Sequence, residues 1–411
     1  IQGGTQDNCS FIYDEANDRW LHLSRGDGTE GGISQANKNR IVTGIGCCGG
    51  TPRLYLYDIL NPSLFERLTY FDGSLHSQVK LDPGNPDNLY VSSEFDLKKV
   101  NNCFSSSSFS TSTVSTPASN MISSFAIAKN NNSILYVAEK IDSFNSPHAN
   151  HMWRYDPSTS TWIDISVNLP QYSDSYVTDI VVDPDNDYEL WICMGQASNG
   201  NEKVFHSTDG GSSWTALSQG YPENIPGNRL LYDHDNGYLY VATDVGIFKT
   251  RARWQPGRPI SWNEISGSIP FKVVTDLEKD YYSDRLIAGT YGRGIWIANL
   301  CYDDENPLII DSDTEISRRE EICSDIIIRN NSTLIISTTV TLSKLGTITI
   351  ENGSSLIIDG GNLKNGNIVV LNGGNLSVIN DGAINLFSGD EVQSELGATM
   401  NIDNGSIDLI N

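Results

Sequence analysis

The feature that most constrains this chain is a unit of four short apolar runs that returns about every fifty residues. Its clearest copy begins with Val177-Thr178-Asp179-Ile180-Val181-Val182 and turns at Asp183-Pro184-Asp185-Asn186. A second run follows at Glu189-Leu190-Trp191-Ile192-Cys193, a third at Val204-Phe205-His206, and a fourth opens at Trp214-Thr215-Ala216-Leu217. The turn recurs at Asp82-Pro83-Gly84-Asn85 and, more loosely, at Lys129-Asn130-Asn131-Asn132 and Asp233-His234-Asp235-Asn236, so successive turns lie 47, 54 and 50 residues apart. The run after the turn recurs as Leu89-Tyr90-Val91, Ile134-Leu135-Tyr136-Val137-Ala138, Tyr238-Leu239-Tyr240-Val241-Ala242 and Arg285-Leu286-Ile287-Ala288-Gly289. Short runs bounded by Asp, Asn, Gly and Pro are strands. Four-stranded units repeating at this interval are the blades of a β-propeller.

The turn between the third and fourth runs is Ser207-Thr208-Asp209-Gly210-Gly211-Ser212-Ser213-Trp214. Asp209 accepts N–H groups of its own turn, Ser207 offers a second local bond, and the glycines tolerate positive φ. Trp214 then packs between sheets. The pattern S-x-D-x-G-x-x-W resembles the Asp box, or bacterial neuraminidase repeat, of β-propellers, with Ser207, Asp209, Gly211 and Trp214 as its structural residues. Tyr13-Asp14…Trp20 and Tyr155-Asp156…Trp162 share a Y-D-x5-W pattern that resembles kelch repeats, and Tyr57-Asp58…Phe65 is a weaker copy. Trp20, Trp162 and Trp214 are therefore expected at equivalent places between blades. The stretch Tyr291-Gly292-Arg293-Gly294-Ile295-Trp296-Ile297 resembles the closing blade of sortilin-type and xyloglucanase-type propellers. Gly3-Gly4-Thr5-Gln6-Asp7-Asn8 resembles a segment of the same superfamily found in large secreted proteins of Bacteroidetes. This resemblance covers residues 1 to about 300 and implies an architecture, not an activity.

About seven units are expected over residues 1–300. The first supplies its second, third and fourth strands, from Gly3-Gly4-Thr5 to Trp20-Leu21-His22-Leu23; the last supplies its first three, ending at Trp296-Ile297-Ala298. The two partial units overlap and do not merge, so a longer parent chain or a partner is expected to complete the ring. The Ser/Thr tract 105–119 reads as an edge strand plus a long loop. Residues 301–323 are expected to be a linker, bracketed by Cys301 and Cys323, a candidate disulfide. From 324 to 411, short runs begin at Leu334, Leu356, Leu376 and Met400, spaced by 22, 20 and 24 residues, with Asn-Gly and Gly-Gly between them. That is the coil length of a parallel β-helix; the alternative is an antiparallel sandwich, since Asn-Gly also closes hairpins.

The chemistry is sparse. With 27 basic against 51 acidic residues, a net charge of −24 argues against nucleic acid or an anionic membrane as partner. No run is long enough to span a membrane. Sialidases that carry Asp boxes need an arginine triad and a tyrosine nucleophile, and the arginines here are scattered. Xyloglucan-cleaving relatives use two aspartates facing each other across a cleft between two propellers, and one propeller is visible. Asp244 lies in a generic turn, where an Asx-turn role is expected. His148 and His151 sit in a polar loop. The turn Asp183-Pro184-Asp185-Asn186-Asp187 offers oxygens for Ca²⁺ but lacks the full D-x-D-x-D-G loop. Arg25-Gly26-Asp27 reads as a turn. No catalytic set, cofactor or metal is expected beyond that possible structural calcium. The reading is a secreted or cell-surface, non-catalytic binding, adhesive or structural module with a protein or glycan partner; the rival is a glycan-active hydrolase completed by residues elsewhere.

Overall fold

A computed structural model describes the chain apart from residues 1, 6–8, 15–18, 25–26, 35–36, 38, 48–49, 60–64, 70–77, 105–109, 141–150, 170–175, 196–201, 235–236, 254–259, 261, 267–272, 281–284, 300–306, 318–319, 323, 343–345, 365, 388–389 and 411. It divides into two units, Ile1–Ala298 and Asn299–Asn411. Both are built of strands; among the described residues the one helical element is a short 3-10 turn, Ser166–Asn168.

The first unit is a seven-bladed propeller. Each blade is an antiparallel meander, five of them four-stranded and two three-stranded among the described residues. The fifth blade shows the plan: Val177–Val182, Leu190–Met194, Val204–Ser207 and Thr215–Ala216, from the axis outward. Its second strand is apolar throughout because a sheet covers each of its faces, and all five residues are buried. Consecutive blades share cores. Tyr136, Ile165, Ile180, Ile192 and Phe205 join the fourth to the fifth, and Trp191, Cys193, Leu230 and Leu239 join the fifth to the sixth.

The recurring turn works as its sequence implies. Asp183 Oδ1 accepts the N–H groups of Asp185 at 2.7 Å and Asn186 at 3.2 Å; Asp82 Oδ1 accepts those of Gly84 at 2.9 Å and Asn85 at 3.0 Å. The Ser/Thr tract contributes Ser110–Ser115, the outer strand of the third blade.

The two three-stranded blades are the first and the last. The first comprises Gln2–Thr5, Cys9–Asp14 and Arg19–Ser24; the last comprises Val274–Asp280, Arg285–Thr290 and Gly294–Asn299. In the first blade Tyr13 pairs with Trp20, their rings 5.2 Å apart, and in the fourth blade Tyr155 pairs with Trp162 at the same 5.2 Å. Tyr155 and Trp162 lie on third and fourth strands, yet Gln2–Thr5 runs beside Asp27–Ile33, the inner strand of the second blade: a Cβ on Gly31 would lie 2.8 Å from Gln2 Nε2, and Gln2 Nε2 donates to Thr43 Oγ1 at 3.3 Å. Gln2–Thr5 therefore holds the inner place of the first blade rather than the expected second. A Cβ on Gly3 would lie 2.9 Å from Ile295 Cδ1, which places the first blade against the last.

The second unit is a parallel β-helix. Its strands form three sheets of five strands each, and neighbours within a sheet are one coil apart. Leu334 pairs with Leu356, Leu356 with Leu376, and Leu376 with Met400, the register expected from the spacing. Parallel pairing excludes the antiparallel sandwich. Alternate residues point inward, and Ile328, Leu334, Ile336, Ile348, Ile350, Leu356 and Ile358 stack into one core. Corners hold the backbone where side chains fit poorly: Gly373 has φ +78°, and polar corners stack from coil to coil, as Asn404 Nδ2 donates to Asp381 Oδ1 at 2.9 Å.

The stretch 301–323 differs from the expected linker. Leu308–Ile310, Thr314–Ile316 and Glu320–Ile322 pair in parallel with Ile326–Ile328, Thr333–Ile336 and Thr339–Leu342, forming the first coil. Thr314, Glu315, Glu320 and Glu321 break the apolar alternation by which these strands would be read. Cys301 and Cys323 lie outside the described residues. Cys103 and Cys193 are free, buried thiols, and burial pushes each up to about 12.

Candidate functional site

The propeller axis carries a ring of charge built by one repeated device. Inner strands of five blades shift register near their start: between Gly28 and Gly31, Ile122 and Ser124, Val177 and Asp179, Gly227 and Arg229, and Val274 and Asp276. Such bulges re-aim a side chain. Here they turn Glu30, Ser124, Asp179, Arg229 and Asp276 toward one another, and Lys80 joins them from the third blade.

Arg229 is the hub, with 14% of its side chain exposed. Its Nη2 donates to Glu30 Oε1 at 2.5 Å and its Nε to Asp276 Oδ1 at 3.1 Å, while Nη1 lies 3.8 Å from Asp179 Oδ1. Asp179, 4% exposed, also accepts Lys80 Nζ at 3.1 Å, Ser124 Oγ at 3.2 Å and the Leu230 N–H at 3.0 Å. Burial works to raise the Asp179 carboxyl, but Lys80 and Arg229 outweigh it and hold it below the usual carboxylate range. Glu30 goes the other way: burial raises it more than Arg229 lowers it, with Asp276 adding to the rise. Glu278, two residues beyond Asp276, is pushed up to about 8 by burial, then by Asp276 and Glu30, against Arg229 and Lys80. Four carboxylates (Glu30, Asp179, Asp276, Glu278) thus face two cations (Lys80, Arg229). Three of those acids are already spent on Arg229.

The turn at 207–213 is closed by its own side chains. Ser207 Oγ donates to Asp209 Oδ1 at 2.8 Å and accepts the Gly211 N–H at 2.9 Å; Asp209 Oδ1 accepts the Ser213 N–H at 2.8 Å, and Oδ2 the Ser213 hydroxyl at 2.6 Å. Burial works to raise the Asp209 carboxyl, yet these bonds hold it below the usual range. Gly210 and Gly211 have φ of +71° and +87°. From the preceding blade, Arg154 Nη1 donates to the Gly210 carbonyl at 2.7 Å, so the turn also joins two blades.

Of the three tryptophans expected to be equivalent, two are. Trp214 packs on the core shared with the preceding blade, and Trp162 Nε1 donates to the Ser115 carbonyl of the preceding blade at 2.9 Å. Trp20 is 46% exposed, and among the described residues the last blade has no fourth strand beside it. The third equivalent is Trp262, whose Nε1 donates to the Leu217 carbonyl of the preceding blade at 2.7 Å. Its signal in the sequence is a Trp opening the short outer strand Asn263–Glu264, with no Asp box before it.

Other candidates resolve into structure. Thr243, not Asp244, holds its turn: its hydroxyl donates to the Gly246 carbonyl at 2.8 Å and accepts the Val245 N–H at 3.1 Å. Asp244 instead accepts Asn228 Nδ2 at 2.9 Å on the surface. His151 Nδ1 sits 2.6 Å from the buried Glu139 carboxylate, and His148 lies outside the described residues. Asp183, Asp185 and His234 cluster closely enough to share an ion. However, Asp183 Oδ1 caps its turn and Oδ2 accepts Arg253 Nη2 at 2.5 Å, and Asp185 faces His234 Nε2 at 2.8 Å. These bonds engage both carboxylate oxygens of Asp183 and Oδ2 of Asp185.

The axial residues escaped sequence reasoning, although a signal existed. Aligning the first strands gives Ile122-Ser123-Ser124-Phe125, Val177-Thr178-Asp179-Ile180, Gly227-Asn228-Arg229-Leu230 and Val274-Thr275-Asp276-Leu277, with the axial residue third in each.

Fold and axis together define a propeller with a charge-locked centre, followed by a parallel solenoid. No protein-family model matches the chain. It is 30% identical over 146 residues to a xyloglucanase of Acetivibrio thermocellus, a match that covers 32% of this chain and 17% of that enzyme. Similar solved structures include the GH74 enzyme of Niastella koreensis, at 16% identity and a TM-score of 0.42, covering 72% of this chain and 56% of that one. The GH74 xyloglucanase of Xanthomonas campestris is similar at 14% identity and a TM-score of 0.41, over 76% of this chain and 60% of that one.

Proposed function

We propose that this chain is a non-catalytic binding module of a secreted or cell-surface assembly, with a glycan or a protein as its partner. The observation that carries this reading is the axis. Glu30, Asp179 and Asp276 all converge on Arg229. A glycosidase pair needs one carboxyl protonated and one free, about 5–10 Å apart on either side of the scissile bond. Carboxylates bound by a shared guanidinium lock the blades together instead. The acidic surface and the match to part of a xyloglucanase support an extracellular glycan as the first ligand to try. The rival reading, a glycan-active hydrolase, is favoured by that same match.

Xyloglucan separates the two. The expected result is retarded migration of the chain in a xyloglucan-containing native gel, with no release of reducing ends on long incubation. Reducing ends that accumulate with this chain, and not with a heat-denatured sample, would overturn the non-catalytic reading. Unretarded migration would shift the proposed partner from this glycan to a protein.

A further inference from the structure

An open pocket lies at the seam between the fifth and sixth blades, on the outer rim and away from the charge-locked axis. It has a volume of about 380 Å³ and is lined by Glu202, Thr215, Ala216, Ser218, Gln219 and Ile260. Small-molecule sites run from about 300 to 1,000 Å³, so this one holds a small ligand. The pocket opens where the outer strand of the fifth blade stops. Thr215–Ala216 ends after two residues, whereas the outer strand of the fourth blade, Thr161–Asp164, runs for four. The chain then turns away through Leu217 to Gly220, whose φ is +78°.

The frame of the pocket is held from both blades. The Leu217 N–H donates to the Val204 carbonyl at 2.9 Å, and the Leu217 carbonyl accepts Trp262 Nε1 of the sixth blade at 2.7 Å. Ser218 Oγ accepts the Lys203 N–H at 2.9 Å and the Val204 N–H at 3.2 Å. A backbone fixed in advance lowers the ordering cost of binding. The remaining polar lining is not spent on the fold. Among the described residues, the side chains of Glu202, Thr215 and Gln219 make no hydrogen bond or ion pair, and all three are exposed. Ala216 and Ile260, both half-buried, add an apolar patch. No Lys or Arg lines the pocket among the described residues.

We propose, resting on the glycan reading above, that this rim pocket is where the chain holds a glycan, and that it takes a neutral sugar segment. The lining selects that class. Adjacent hydroxyls of a sugar ring donate to the two oxygens of one carboxylate, here Glu202. Gln219 offers an amide donor and an acceptor, and Thr215 a hydroxyl that does both, which matches hydroxyls that also do both. Ala216 and Ile260 meet the C–H groups that a sugar ring carries between its hydroxyls. A phosphate, sulfate or uronate would set its charge against Glu202 with no cation of the lining to receive it, on a chain of net charge −24. An amine would satisfy Glu202 and leave Thr215 and Gln219 idle.

The test runs the full chain and its variants through native gels containing xyloglucan or, separately, polygalacturonate. The parent should be retarded by xyloglucan and not by polygalacturonate. Glu202→Ala should weaken the apparent affinity for xyloglucan about tenfold, and Gln219→Ala about threefold, the sizes expected for losing charged and neutral hydrogen bonds. Both side chains are exposed and unpaired, so the far-UV circular dichroism of these variants should match the parent. Thr215→Val removes a hydroxyl at nearly constant shape and should also weaken the affinity about threefold. Retardation by xyloglucan that survives all three substitutions would overturn the pocket and leave the glycan reading standing. Equal retardation by polygalacturonate would overturn the neutral class. No retardation of the parent by xyloglucan would overturn the pocket together with the glycan reading on which it rests.

Discussion

Replacing Arg229 by Met should unlock the propeller axis, and its size follows from which partners are left stranded. Breaking a buried ion pair by removing one member costs about 3–5 kcal/mol, since the remaining charge stays desolvated. Asp179 keeps Lys80, Ser124 and the Leu230 N–H, and the Asp276 side chain is 46% exposed, so neither suffers the full penalty. Glu30, 21% exposed, loses the guanidinium that faced it at 2.5 Å. The expected loss is therefore near the lower end, about 3 kcal/mol. Urea unfolding followed by tryptophan fluorescence isolates the effect, because all 8 tryptophans precede the solenoid. The loss should grow with pH. A carboxyl raised in the folded state stabilises it fully below the unfolded value and loses that contribution as pH rises through the folded value. Glu30, already raised above 4.5, is raised further without Arg229, so the gap between variant and parent should widen as the pH rises above that ordinary value. Adding Glu30→Gln to Arg229→Met should recover part of the stability. A loss below about 1 kcal/mol, or one that ignores pH, would refute the hub.

Other outcomes follow from the same geometry. Trp162→Ala should cost about 3 kcal/mol, whereas the exposed Trp20→Ala should cost under about 1 kcal/mol, and equal losses in denaturant titrations would undo the assignment of covered and uncovered positions. Asp209→Ala removes the acceptor of two Ser213 bonds and should cost about 1–2 kcal/mol, while Asp209→Asn should retain much of it. In the solenoid, Leu356→Ala opens a fully buried place in the core and should cost about 2–5 kcal/mol, read by far-UV circular dichroism.

What the sequence determined by itself is what depends on local chemistry. Turns at Asp82 and Asp183 are closed by a side chain bonding its own backbone two and three residues on, so the blade repeat was legible from spelling alone. The solenoid register was legible too, because stacked coils demand an apolar residue at Leu334, Leu356 and Leu376 whatever lies between. Reading failed where a residue's role depends on partners far along the chain. Leu308–Ile310, Thr314–Ile316 and Glu320–Ile322 are strands because the next coil supplies their backbone partners. Trp20 and Trp162 share a motif, yet among the described residues only Trp162 has a preceding outer strand beside it. The axis was hidden most thoroughly. Arg229 meets Glu30 across 199 residues of sequence, and a bulge, which no pattern of apolar alternation reveals, turns each axial side chain inward. Local bonds write themselves into adjacent residues, but a charge balance struck among separate blades exists only once the ring has assembled.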